Sequence, residues 1–128
     1  MSAPTYYSSS LSILVVDDDA IMLRMLEAML RTDRHTVTVA SEVESALEQF
    51  KAKPCDLILT DLNLPGKSGE VLAKEIKQFS PATPIIIMTG LLTPRDYEGA
   101  DVVIRKPFTR ATIASAITKC LGDRAKEG

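Results

Sequence analysis

Two kinds of apolar spacing alternate along this chain. Five short runs, "SILVV" (12–16), "HTVTVA" (35–40), "DLILT" (56–60), "PIIIM" (84–88) and "DVVIR" (101–105), are rich in β-branched residues and bounded by polar or breaker residues. Each has the length of a strand, and most are too apolar to leave one face in water. They predict strands covered on both sides. Between them, apolar residues recur at three- and four-residue spacing: Met22, Met25, Leu26, Met29 and Leu30; Val43, Ala46, Leu47 and Phe50; Leu72, Ile76 and Phe79; Ile113, Ile117, Cys120 and Leu121. That period predicts helices with one buried face. Ser41 followed by Glu44 predicts a capping box at the start of the second helix. Pro81 and Pro84 close the third helix and lead into the fourth strand.

Strands alternating with helices imply right-handed crossovers and an α/β architecture, a parallel sheet with helices on both faces. In such sheets the functional crevice lies beyond the carboxyl ends of the strands, where strand order reverses. The residues at those ends are therefore the candidates for chemistry. The first run ends in Asp17, Asp18 and Asp19. The third meets Asp61 and then a turn of Asn63, Pro65 and Gly66. The fourth is followed by Thr89 and Gly90, and the fifth by Lys106 and Pro107.

Taken singly, each of these has a commoner explanation. An Asp at a strand end is usually a turn former, and an acidic run before a helix is often an N-cap. Taken together they match chemically. Neighbouring strands lie about 4.8 Å apart, so acids from the first and third can share one pocket. Crowded carboxylates repel and hold one another's pKa up. A hard divalent cation with oxygen ligands, Mg²⁺, removes that conflict. One such ion and Lys106 balance the charge of Asp17, Asp18 and Asp61. The set suits phosphoryl transfer onto a carboxylate, which is chiefly an electrostatic and positioning task.

Composition narrows the partners. The 128 residues are 45% apolar and 25% charged, with a formal net charge of −2, as in an ordinary globular domain. That charge argues against nucleic acid or an anionic membrane as a direct partner. No apolar run approaches the ~20 residues of a membrane span. Cys55 and Cys120 have no CxxC context and are expected to be reduced, packed thiols in a cytoplasmic protein. The expected organisation is a disordered tail over 1–10, one domain over 11–121, and a C-terminal tail or linker start over 122–128.

"ILVVDDD", "DLILTDLNLPGKSG", "PIIIMTG" and "RKPF" together resemble the receiver domains of bacterial two-component response regulators. The resemblance implies a flavodoxin-like (βα)5 sandwich with a five-stranded sheet of order 2-1-3-4-5. It also implies a phosphorelay role: Asp61 would accept a phosphoryl group from a histidine kinase or histidine phosphotransfer protein and act as a conformational switch for an output domain or effector. By the same resemblance Mg²⁺ would be held by Asp17, through water, by Asp18 and Asp61 directly, and by Asn63 through its backbone carbonyl. Thr89 and Lys106 would contact the phosphoryl group, and Pro107 would follow a cis bond. Asp19 is expected to cap the first helix, and His35 to lie away from the site.

Two departures stand out. Relatives usually carry a Tyr or Phe three residues before the lysine, where this chain has Val103. Thr89 and Lys106 are 17 positions apart, several fewer than is usual, and "LLTPRDYEGA" (91–100) contains Pro94 and Gly99. The fourth helix is accordingly expected to be short or missing. An altered output surface leaves open a degenerate receiver that acts only as an interaction module. A Mg²⁺-dependent phosphohydrolase with an Asp nucleophile fits less well, since "DDDAI" (17–21) departs from its DxDx[TV] pattern. A flavin-binding module would need a phosphate loop where three acids stand.

Overall fold

The computed structural model describes residues 10–90 and 96–127, with side chains to residue 122. In chain order the elements are β1 (Ser12–Val16), α1 (Ala20–Thr32), β2 (Thr36–Ala40), α2 (Val43–Ala52), β3 (Leu57–Asp61), α3 (Gly69–Phe79), β4 (Ile85–Thr89), β5 (Val102–Arg105) and α4 (Arg110–Glu127). The strands form one parallel sheet in the order β2-β1-β3-β4-β5.

The period of two along each strand divides the core into two halves. Ile13, Val15, Leu57, Leu59, Ile86, Met88 and Ile104 face Leu26 and Leu30 of α1 and Ile113 and Ile117 of α4. Leu14, Val16, Ile58, Ile85 and Ile87 face α2 and α3 through Ala46, Phe50, Leu72 and Ile76. Continuous apolar strands are thus explained, since both faces are covered. Cys55 and Cys120 are free and half-buried. Burial pushes both thiols up, that of Cys120 to about 11, so neither is an activated nucleophile.

The amino ends of the strands are stitched by polar side chains. Lys77 Nζ donates to the carbonyls of Thr83 (2.8 Å) and Pro81 (3.3 Å) and pairs with Asp101 at 2.8 Å. The same Asp101 oxygen accepts the Ile85 N–H at 2.8 Å. The N–H and hydroxyl of Ser12 both donate to Asp56, at 2.8 and 3.1 Å.

Local signals at the helix ends divide. Ser68 caps α3, accepting the Val71 N–H at 3.3 Å. The capping box expected of Ser41 and Glu44 does not form. Buried Val43 is the first helical residue and Glu42 the N-cap, with no side-chain cap bond. Glu44 then stands at the second helical position instead of the third, out of register for the reciprocal bond. Helix α1 ends with Arg34 at φ 71, bonded N–H to Arg31 O at 2.9 Å, while the His35 N–H reaches Leu30 O at 3.1 Å. This is a Schellman closure, a motif that usually places glycine where Arg34 stands.

The stretch expected to lack a full fourth helix is described only over 96–101, which carries a turn and no helix; 91–95 lie outside the described residues. So do residues 1–9 of the expected N-terminal tail. At the other terminus the backbone of α4 runs on helically over 122–127, within the stretch expected from sequence to be a C-terminal tail or linker start. A helical glycine such as Gly122 weakens a helix by ~1 kcal/mol but, unlike proline, does not end it.

Candidate functional site

The ends of β1, β3, β4 and β5 converge because the sheet is parallel and β1 lies between β2 and β3. Asp61 is the last residue of β3, in register with Met88, and the Leu62 N–H continues the ladder to Met88 O at 2.8 Å. Thr89 ends β4 opposite Arg105 and is fully buried; its carbonyl accepts the Lys106 N–H at 2.7 Å. The Lys106–Pro107 peptide is cis.

Carboxylate oxygens of Asp17, Asp18 and Asp61 all lie within 4.8 Å of one another. Asp17 and Asp61 are buried, whereas Asp18 is open to solvent. Lys106 Nζ lies 3.1 Å from Asp61 Oδ1 and 3.7 Å from Asp17 Oδ2. One oxygen of Asp17 accepts the Asp19 N–H at 2.9 Å. The other is buried without a hydrogen-bond partner among the described residues. Burial is the main cause that pushes the Asp17 carboxyl above its ordinary range; the Asp61 and Asp18 charges add to it, against the lowering by the Asp19 N–H and Lys106. A buried carboxylate oxygen with no donor, beside two more acids, is the environment a hard cation relieves. The all-oxygen donor set, open to water on the Asp18 side, fits Mg²⁺.

Asn63 lies exposed in the β3–α3 connection, two residues beyond Asp61. Asp19 turns away from the cluster: its Oδ1 accepts the Ile21 and Met22 N–H groups at 2.9 and 3.3 Å and caps α1. His35 sits at the amino end of β2, its Nδ1 accepting the Leu11 N–H at 3.2 Å, and takes no part in the site. Val103, at the position where an aromatic ring is usual, is half-buried and packs in one cluster with buried Tyr97.

Two supports of Asp61 lie within the "DLILTDLNLPGKSG" motif but have no role expected of them from sequence. The Thr60 hydroxyl donates to the Asp61 carbonyl at 2.9 Å. Gly69, the first residue of α3, lies so close to that carbonyl that a Cβ there would stand 2.2 Å from its oxygen. Its place at the end of the "DLILTDLNLPGKSG" motif, directly after the helix-capping Ser68, is the signal that points to it.

Comparison with known proteins bears on the family and the fold. The family model for the response regulator receiver domain matches residues 13–118. The transcription factor SKN7 of Saccharomyces cerevisiae is 32% identical, across 88% of this chain and 19% of the yeast protein. The transcriptional regulatory protein ZraR of Escherichia coli O157:H7 is 31% identical, across 85% of this chain and 29% of that protein. The chain thus spans less than a third of either relative. A CheY-like response regulator receiver domain protein from Methanospirillum hungatei superposes with a TM-score of 0.83 at 27% identity, covering 94% of this chain and 100% of that one.

Proposed function

Because the chain belongs to the response regulator receiver domain family, we propose that it is a phosphoacceptor switch whose Asp61 takes a phosphoryl group in a Mg²⁺-dependent reaction. The observation that carries this reading is the Lys106 ammonium 3.1 Å from Asp61, beside three carboxylates within 4.8 Å of one another. In the reaction an Asp61 oxygen attacks phosphorus, and an acyl phosphate forms as the bond from phosphorus to the donor breaks. A histidine kinase or histidine phosphotransfer protein is the donor, through its phosphoimidazole nitrogen.

Asp17, Asp18, Asp61 and the backbone carbonyl of Asn63 would hold Mg²⁺, which when bound neutralises charge on the phosphoryl oxygens. Lys106 is already within reach of the acceptor carboxylate and would follow one oxygen of the transferred group. Thr89, anchored to Lys106 through the backbone, would offer its hydroxyl to another. The product is a signal, and slow hydrolysis resets it; the protein has no turning-over substrate of its own. With Val103 in place of a ring, the change is passed to an output domain or effector by another route. Among the described residues no helix is long and apolar enough to cross a membrane, and the domain is assigned to the cytoplasm.

The test is incubation with acetyl phosphate and Mg²⁺, read by intact mass. The wild type should gain one phosphate, and Asp61→Asn none. A wild type that stays unmodified in the presence of Mg²⁺ would favour a module that acts by binding alone.

A further inference from the structure

We infer that Gly69 is a positioning residue for Asp61, acting through the backbone of the acceptor instead of touching the reacting atoms. This rests on the reading of Asp61 as the phosphoacceptor.

Glycines serve two different ends in this fold. Gly66 has φ 78, and no atom lies within 4 Å of the place a Cβ would take, so it answers to backbone conformation. Gly69 has an ordinary φ that any residue could adopt, so its requirement is space alone. A Cβ there would lie 2.2 Å from Asp61 O, 3.1 Å from Asp61 C and 3.2 Å from Leu62 Cα. All three neighbours are backbone atoms, and none can rotate out of the way.

The surrounding bonds tie those atoms down. Leu62 donates its N–H to Met88 O at 2.8 Å, and its own carbonyl accepts the Gly69 N–H at 2.7 Å. The Asp61 carbonyl also accepts the Thr60 hydroxyl at 2.9 Å. Start of helix and end of strand are therefore in direct backbone contact, with Asp61 between them. A side chain at 69 can be admitted only by moving α3 outward or the 61–62 peptide inward. The second movement changes where the Asp61 carboxylate stands relative to Lys106, Asp17 and Asp18. Thr60 and Gly69 together thus fix the placement that the ion and the phosphoryl group require.

The experiment compares Gly69→Ala with Ile113→Val, a small core deletion on the opposite face of the sheet. Both are studied well below their melting temperatures, with folding checked by circular dichroism. Mg²⁺ affinity is measured by calorimetric titration and the acetyl phosphate adduct rate at saturating Mg²⁺. Gly69→Ala should weaken Mg²⁺ binding by about tenfold, the scale seen when a group that supports a metal ligand is altered. It should also slow the adduct at saturating metal, while Ile113→Val keeps both values. Should Gly69→Ala not fold, Thr60→Val, which keeps the shape and removes the hydroxyl, must still lower the affinity. A folded Gly69→Ala with wild-type affinity and rate overturns this inference alone, as does a wild-type result for Thr60→Val in the fallback. A wild-type chain that takes neither Mg²⁺ nor phosphate overturns the site reading and this inference with it.

Discussion

The buried carboxylate of Asp17 has one oxygen on the Asp19 N–H and the other facing Lys106 at 3.7 Å, too long for a hydrogen bond. Without a metal ion, Lys106 alone leaves that buried charge poorly compensated. Asp17→Asn should stabilise the metal-free protein by about 1 kcal/mol, or about 4 °C in melting temperature. The same variant should lose most of the stabilisation that added Mg²⁺ confers. Thermal melts in chelator and in Mg²⁺ give both numbers, and an Asp17→Asn protein less stable than wild type in chelator would contradict the account. Arg34 presents a simpler case. A non-glycine residue in the left-handed region is disfavoured by ~1–2 kcal/mol, and glycine recovers part of this after its larger unfolded-state entropy is subtracted. Arg34→Gly should therefore raise the urea midpoint, and a lowered one would mean that the Arg34 side chain contributes more than its backbone costs.

At the scale of elements, α1 and the acidic cluster share one acidic run but divide it. Asp17 and Asp18 face the cluster, and Asp19 caps the helix. Asp19→Ala should lower stability by ~1 kcal/mol, as loss of an N-cap does, while Mg²⁺ affinity stays near the wild-type value. A collapse of affinity in chelator-matched titrations would assign Asp19 to the metal instead. The strands and their order were legible in the sequence because fully buried parallel strands leave unbroken apolar runs and because the family motifs cover them. The convergence of Asp17, Asp18, Asp61 and Lys106 was legible because chemistry-bearing residues at strand ends are recognisable by type. The α2 cap was not, since burial of Val43 outweighed the local preference of Ser41 and moved the helix start. The roles of Thr60 and Gly69 were not, although both lie within the quoted motif, because they depend on how closely each approaches one carbonyl oxygen in the folded chain.

For the whole molecule, His35 links the end of α1 to the first strand. Its imidazole is buried, which pushes its pKa below the ordinary value, against a smaller upward pull from Asp33. The unfolded chain, with a histidine pKa near ~6.5, takes up that proton more readily than the folded one, so stability falls as pH drops below about 6.5. His35→Asn, which keeps an acceptor for the Leu11 N–H, should flatten the fall between about pH 7 and 5.5 in urea titrations. An unchanged slope would locate the proton uptake elsewhere. The sheet also has unlike ends. One is laced by Lys77, Asp101, Ser12 and Asp56, and the other gathers like charges. Loosening should begin at the acidic rim and fade toward the laced one. In deuterium exchange, the amides of Leu62 and Lys106 would then slow when Mg²⁺ is added, whereas those of Asp56 and Ile85 would keep their pace, so the protein carries its own internal reference for occupancy.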